Sequence, residues 1–306
     1  MNKIHTLLYY LLVCCCLSIS LLMQSCSSDD SIAPSRSMAV RFTAYHPSSI
    51  ATRAGFSAFE KDDRIGVFVY SDTTTLQLAG NYISNEPFTF SGSEWNARRE
   101  LNWNEGTYNV RAYYPHVMEI NSIEDCHVSV ATDQSIGRGE YKSPDTDAPL
   151  SAYEASDILF AEANGIVATN STVPLYFHHT MSRIVIRIIK GEDFEGELPK
   201  NLCVYVHSTV TEATLNLNNG TVTKDIRAPH KTIKARQESD YTYAAIIVPQ
   251  RINTRSPLVE VEVNGTSFLY ESMFNFKPGT QHIINFIIDK NPNQNLLSIG
   301  GEKTGW

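Results

Sequence analysis

The sequence has few of the features that identify an enzyme, a metal protein or a nucleic-acid-binding protein. It contains six cysteines, and four of them lie within the first 26 residues, so that the rest of the chain has no C-x-x-C pair. The nucleophile-elbow, zinc-protease, phosphate-loop and dinucleotide-binding motifs are all missing from it. The formal net charge is -8 and no run of lysine and arginine occurs. We therefore predict no catalytic activity, no cofactor, no metal site and no nucleic-acid partner.

The two cysteines in the body of the chain are Cys126 and Cys203. They could form a disulfide outside the cytoplasm, where disulfides persist. We expect free thiols instead, because the chain reads as two domains with one cysteine in each.

The sequence also has no segment in which apolar residues recur at helical spacing over three turns. What it has instead is a series of short β-branched and aromatic runs. Residues 65–70 predict a buried strand, and residues 184–189 are the strongest β signal in the chain. Turn formers separate them, among them Asn218-Asn219-Gly220 and Asn264-Gly265, which suit tight hairpins. Many short strands with frequent turns predict an all-β fold of sandwich domains.

The first residues have the pattern of an export signal. Lys3 precedes an apolar run at residues 7–23, and Cys26 is followed by a polar stretch. Residues 22–26 resemble the bacterial lipobox, although Gln24 stands where a small residue is usual. We predict a signal peptide at 1–25, lipidation of Cys26 and a lipidated tether at 26–37; the alternatives are a retained membrane helix and ordinary secretion.

After the tether the chain alternates apolar and polar residues over 38–46, with Val40, Phe42 and Ala44 on one side, which predicts a half-buried first strand with these residues facing inward. A loop of small residues containing Arg53 follows. We predict an N-terminal β-sandwich domain at 38–168, a C-terminal β-sandwich domain at 169–290 and a tail at 291–306. Within the first domain, residues 101–103 and 108–114 are predicted to form a hairpin.

Several side chains invite a functional interpretation. His178-His179 could bind a metal, but neighbouring strand residues point to opposite faces, so a structural role is favoured. Asp62-Asp63 could be paired carboxylates, but a turn before a strand favours solvated side chains. The aromatic residues could form a sugar-stacking platform or belong to the core, and we expect the core. These are Trp95, Trp103, Tyr113 and Tyr114.

Five stretches resemble the fimbrillin, or Mfa-like, family of type V pilus subunits from Bacteroidetes. They are FEKDDRIGVFVY at 59–70, the span from Trp103 to Pro115 that ends in GTYNVRAYYP, DILFA at 157–161, VPLYFHHTMSRIVI at 173–186 and FKPGTQHIINF at 276–286. Asp62 departs from the family, which often has glycine there. The matches follow the family order from about residue 38 to 288.

The resemblance implies two transthyretin-like β-sandwich domains and a fimbrial structural or adhesive subunit exported as a lipoprotein. It also implies that a trypsin-like protease cuts after Arg53, that the first strand leaves, and that a donor strand from another subunit fills the groove. The implied location is the outer membrane, cell surface and fimbrium. The implied partners are other fimbrial subunits, the outer membrane through the lipid anchor, and a host or bacterial surface receptor. The alternative function is that of a surface glycan-binding lipoprotein.

The tail after residue 290 has two interpretations. Leu296, Leu297, Ile299 and Trp306 are apolar with little chain left to bury them, which favours a donor strand built on Leu296, Leu297 and Ile299. Gly300-Gly301 interrupts the segment, which favours a strand or tail packed on its own domain.

Overall fold

The computed structural model describes residues 38–47, 58–291 and 296–306. The predicted signal peptide, Cys26 and Arg53 lie outside the described residues. The described residues contain one helix, α1 (Ala152–Ser156), and none that is long and apolar enough to cross a membrane. The rest of the regular structure is β, which confirms the predicted all-β class.

The strands of the first part of the chain are β1 (Met38–Ala39), β2 (Phe42–Tyr45), β3 (Arg64–Ser71), β4 (Ile83–Phe90), β5 (Trp95–Ala97), β6 (Asn102–Trp103), β7 (Thr107–Tyr114), β8 (Cys126–Ser129), β9 (Leu159–Val167), β10 (Val173–Tyr176) and β11 (His178–His179). Those of the second part are β12 (Ser182–Lys190), β13 (Cys203–Val210), β14 (Glu212–Asn216), β15 (Thr221–Lys224), β16 (His230–Lys234), β17 (Arg236–Ser239), β18 (Thr242–Ile247), β19 (Gln250–Val263), β20 (Thr266–Phe276), β21 (Thr280–Ile288) and β22 (Leu296–Thr304).

These strands form larger sheets and two short pairings. The larger sheets have the orders β11-β9-β7-β3-β4-β5, β17-β18-β12-β21-β22, β16-β13-β19-β20 and β15-β14-β8. The short pairings join β1 to β6 and β2 to β10. The first strand predicted from the sequence thus consists of β1 and β2, with a different partner at each end.

Two hydrophobic cores lie on opposite faces of the six-stranded sheet. In β3, Ile65, Val67 and Val69 belong to the N-terminal core, whereas Phe68 and Tyr70 belong to the C-terminal core. Alternate strand residues point to opposite faces, so both faces of this sheet are covered. That double coverage accounts for the unbroken apolar run in β3, because a strand buried on one face only would alternate with polar residues.

The two asparagine-glycine turns connect hairpins, as predicted. Asn264 and Gly265 have φ of 49° and 79° and join β19 to β20. Both values lie in the left-handed region that a tight two-residue hairpin turn requires. Gly220 has φ of 73° in the turn between β14 and β15.

The predicted hairpin at residues 101–114 is wrong. β6 pairs with β1, whereas β7 pairs with β3 and β9. The turn formers between β6 and β7 are local features, but strand partners are decided by which apolar faces meet in the core. In this structure β6 holds the first strand through its pairing with β1.

One strand from each side of residue 168 packs with the opposite half of the chain. β10 lies beyond residue 168 and contributes Val173 and Leu175 to the N-terminal core. β8 lies before residue 168 and pairs with β14. The domain limits at 38–168 and 169–290 stay a prediction. Because β8 and β10 each pack with the opposite half of the chain, the two halves are connected by more than a linker.

Candidate strand-exchange site

The first strand is held by backbone pairing at both ends. β1 pairs antiparallel with β6 through Met38 and Ala39, and the Val40 amide donates to the carbonyl of Leu101 at 2.8 Å. β2 pairs in parallel with β10 from Phe42 to Tyr45. The strand therefore lies between two partners, and its departure would leave two unpaired strand edges.

Two side chains of the first strand reach the N-terminal core. Val40 is 8% exposed and Phe42 is 3% exposed, whereas the neighbouring Arg41 is exposed. The Phe42 ring meets Phe88 edge-on at 5.1 Å between centroids and Trp103 at 6.5 Å. Full burial of a side chain of this size stabilises a fold by roughly 1.5–3 kcal/mol. The groove beneath the strand is thus apolar and needs an apolar occupant.

The chain is anchored again just after the undescribed residues 48–57. Phe59 is buried and lies among three aromatic rings at centroid distances of 5.0 Å to Trp95, 5.4 Å to Tyr114 and 5.6 Å to Phe177. A cut at Arg53 would therefore separate the first strand from a segment that is anchored in the core.

Arg138 strengthens this anchor. Its guanidinium lies 3.3 Å from Glu60, 2.7 Å from Asp63 and 3.2 Å from Glu154. Burial raises the pKa of Asp63, and the hydrogen bond from Arg138 opposes that rise. The expectation of two solvated carboxylates is thus wrong for Asp63, which is 3% exposed, while Asp62 is exposed. Arg138 was not predicted from the sequence, because it is one of several charged residues in a polar stretch.

The predicted donor residues lie on an edge strand. β22 pairs antiparallel with β21 of the same chain, and Leu296 and Ile299 are 59% and 76% exposed while Leu297 is partly buried. The tail therefore packs on its own sheet in this structure, which is one of its two predicted interpretations. Leu296 and Ile299 bury little apolar surface in that position. The donor role of the tail stays a prediction.

Trp306 lies just beyond β22 and is only 7% exposed. Its indole stacks on the His179 ring with centroids 3.5 Å apart and an angle of 13° between planes. The Arg183 guanidinium lies 5.1 Å from the centroid of the indole ring, within range of a cation–π contact. Sequence analysis noted Trp306 only as an apolar residue of the tail, since nothing local marks its distant partners.

The remaining candidate residues have structural positions. His178 is exposed and His179 is buried, which confirms that they point to opposite faces. The described part of the chain contains no group of three or more histidine, cysteine or acidic residues that could hold a metal ion. Cys126 and Cys203 are free, as expected. The aromatic residues considered for a sugar platform belong to the cores. These are Trp95, Trp103, Tyr113 and Tyr114, each at most 8% exposed.

The sequence matches a known family along most of its length. A family described as fimbrillin-like matches residues 52–306. The candidate fimbrium tip subunit Fim1C of Bacteroides ovatus is 28% identical over 147 residues, which are 46% of this chain and 26% of that protein. The match with this curated relative thus spans about a quarter of the relative's length.

Two solved structures share the fold. A candidate cell adhesion protein from Bacteroides ovatus has a TM-score of 0.63 at 20% identity, covering 88% of this chain and 97% of that one. Another, from Bacteroides uniformis, has a TM-score of 0.63 at 17% identity, covering 88% and 99%. At these identities the likeness concerns the fold alone.

Proposed function

This chain belongs to the fimbrillin-like family, and we propose that it is a structural and adhesive subunit of a cell-surface fimbria that assembles by strand exchange. The family is one of fimbrial proteins and not of enzymes, which agrees with the prediction of no catalytic activity. Its partners are other fimbrial subunits, and a receptor on a host or bacterial surface is a further proposed partner.

The observation that carries the proposal is the placement of the first strand. It supplies Val40 and Phe42 to the core, pairs with a different strand at each end, and is followed in the sequence by the small-residue stretch that contains Arg53. A strand with these properties leaves an apolar groove with two open edges when it departs. Refilling that groove with an extended segment restores backbone hydrogen bonds and buries apolar surface, so strand addition is strongly favoured.

We further propose that the chain reaches the cell surface as a lipoprotein. The support is the sequence around Cys26, with its apolar run before and its acidic residues after. Multiple acyl chains on this cysteine would give a firm anchor in the outer membrane, because each buried methylene contributes about 0.8 kcal/mol. The glycan-binding alternative has less support, because the four aromatic residues proposed for a sugar platform are buried.

Limited trypsin treatment of the folded chain without its signal peptide is expected to cut first after Arg53. The reason is that Arg53 lies among small residues in the sequence, between a paired strand and the anchored Phe59. N-terminal sequencing of the large fragment should begin at Ala54. The matched control is Arg53→Gln, in which this cut should disappear. A first cut inside residues 140–150 would contradict a maturation loop at Arg53.

Deletion of residues 295–306 is expected to leave a folded monomer that no longer enters polymer. β22 lies at the edge of its sheet and exposes most of its side chains, so among the described residues the deletion removes one buried side chain, Trp306, and leaves the other buried core residues in place. Thermal melting measures folding, and a denaturation-resistant ladder on gels measures assembly. A truncated chain that polymerises like the parent would exclude this segment as the donor, and a truncated chain that fails to fold would show that it is an ordinary structural strand.

A further inference from the structure

His179 contacts residues from both ends of the strand-exchange system. The ring of His46, the residue after β2, meets His179 at 5.8 Å between centroids and an angle of 80° between planes. The indole of Trp306, two residues after β22, stacks on the same ring at 3.5 Å. A residue next to the strand proposed to leave and a residue next to the strand proposed to be donated therefore both contact the His179 ring.

This central ring is fixed from several directions. His179 is 3% exposed, and its Nδ1 lies 2.9 Å from a carboxylate oxygen of Asp157. Its carbonyl oxygen faces Gly279, which has φ of 57°, and a Cβ built there would lie 2.9 Å from that oxygen. Gly305 donates its amide to the Gly279 carbonyl at 3.0 Å. The backbone thus leads Trp306 directly onto His179.

Trp306 is the buried side chain that holds the last strand. Among residues 296–306, Leu297 and Gly301 are half-buried, Trp306 is buried, and the others are exposed. Outside the backbone pairing with β21, Leu297 packs partly buried against the core, and Glu302 lies 2.6 Å from Lys277 and 3.2 Å from His282. Exposed ion pairs contribute little to stability. Among the side chains of residues 296–306, the indole is therefore the most deeply buried one that must be withdrawn when β22 is released.

We propose that His179 couples the two strands, so that departure of the first strand releases β22 for donation. With the first strand in place, His46 packs against His179 and keeps its ring beneath Trp306. When His46 leaves, the ring loses packing contacts beside it, and the stack with Trp306 loses its support. The coupling rests on the proposed strand exchange and adds an order of events to it: the acceptor groove opens first, and the donor follows.

Linkage requires that the coupling act in both directions, since one free energy connects the two sites. Loss of Trp306 should therefore loosen the first strand as well as β22. This reciprocity distinguishes coupling through His179 from two independent local effects.

The test is hydrogen–deuterium exchange of the monomeric chain without its signal peptide. Trp306→Ala is expected to speed exchange in β22 at least about tenfold, because a buried aromatic side chain is lost. His46→Ala is expected to speed exchange in β22 by about two- to tenfold, the range of a single aromatic contact. His46→Phe, which keeps a ring in place, should restore slow exchange. Ile299→Ala is the matched control in β22 and should change nothing, because that side chain is 76% exposed.

Faster exchange of β22 in both alanine variants, with β12 unchanged and β2 also faster in Trp306→Ala, supports the coupling. Acceleration by Trp306→Ala alone overturns it, since the stack would then act without the first strand. Equal exchange in all variants also overturns it. The exchange measurements use the monomer and do not depend on polymer formation. If the parent chain fails to assemble, that result contradicts the proposed function, whereas the exchange data still test the coupling.

Discussion

Phe42→Ala is expected to lower the free energy of unfolding by about 3–5 kcal/mol, the range for truncating a large buried aromatic side chain. Phe42 is 3% exposed and packs edge-on against Phe88 at 5.1 Å. Its loss removes apolar burial and leaves a cavity beside Phe88 and Trp103 that the paired strands around it cannot close. Urea unfolding followed by circular dichroism measures the change.

The matched control for this prediction is Arg41→Ala. Arg41 precedes Phe42 on the same strand but is exposed, and the bond it makes to Val173 uses its backbone carbonyl. We expect a change within about 0.5 kcal/mol, as for other surface substitutions. Equal losses in the two variants would show that the first strand is held by backbone pairing alone, and the groove would then offer no apolar pocket to a donor.

The local features of this fold were predictable because they depend on neighbouring residues. Alternation along 38–46 predicted that Val40 and Phe42 point inward, and both are buried. Residues 65–70 predicted a buried strand, and β3 is covered on both faces. The asparagine-glycine turn at Asn264 predicted a hairpin because positive φ is a property of those residue types themselves.

Partners distant in the sequence were not predictable in the same way. The parallel pairing of β2 with β10 and the pairing of β1 with β6 depend on which apolar faces meet across the core. A pattern of period two gives the face of a strand but not its neighbour. For this reason the turn formers at 104–106 suggested a hairpin that the structure does not contain.

Single side chains that join distant segments were missed for a related reason. Arg138 is one charge in a polar stretch, and its role comes from Asp63 and Glu154, which approach it only in the folded chain. Trp306 lies beside Gly305 and Thr304, and neither indicates that its ring will stack on His179. Of the proposed site, the inward face of the first strand was predictable, and the contacts that could control its release were not.

Acidification should destabilise the fold, because the buried His116 and the half-buried His46 are held in their neutral forms. Burial is the main cause that lowers the pKa of His116 from 6.5 to about 4, and it likewise lowers the pKa of His46 to about 4. In the unfolded chain both rings take up a proton near pH 6.5, whereas in the folded chain they do so only near pH 4. The unfolded state thus binds more protons between these values, so stability is fully present above pH 6.5 and falls as the pH approaches 4.

His116→Gln isolates one of these contributions. His116 is 2% exposed, and the charged side chains that act on its pKa are Arg98 and Arg64, which lower it, and Asp147, which raises it. A shift of this size corresponds to about 3 kcal/mol of stability lost between pH 7 and pH 4. Glutamine stays neutral throughout, so the variant should lose about 3 kcal/mol less than the parent over that interval.

Urea unfolding at a series of pH values from 7.5 to 4 measures the difference. His230→Gln is the matched control, because His230 is exposed at the start of β16 and should leave the pH profile unchanged. Since glutamine could alter the packing at neutral pH, the slope of stability against pH is the quantity to compare, and not its value at one pH. Parallel slopes for the parent and His116→Gln would mean that His116 takes up its proton at the same pH in the folded and unfolded chains, and the effect of its burial would then be compensated by the acidic group Asp147.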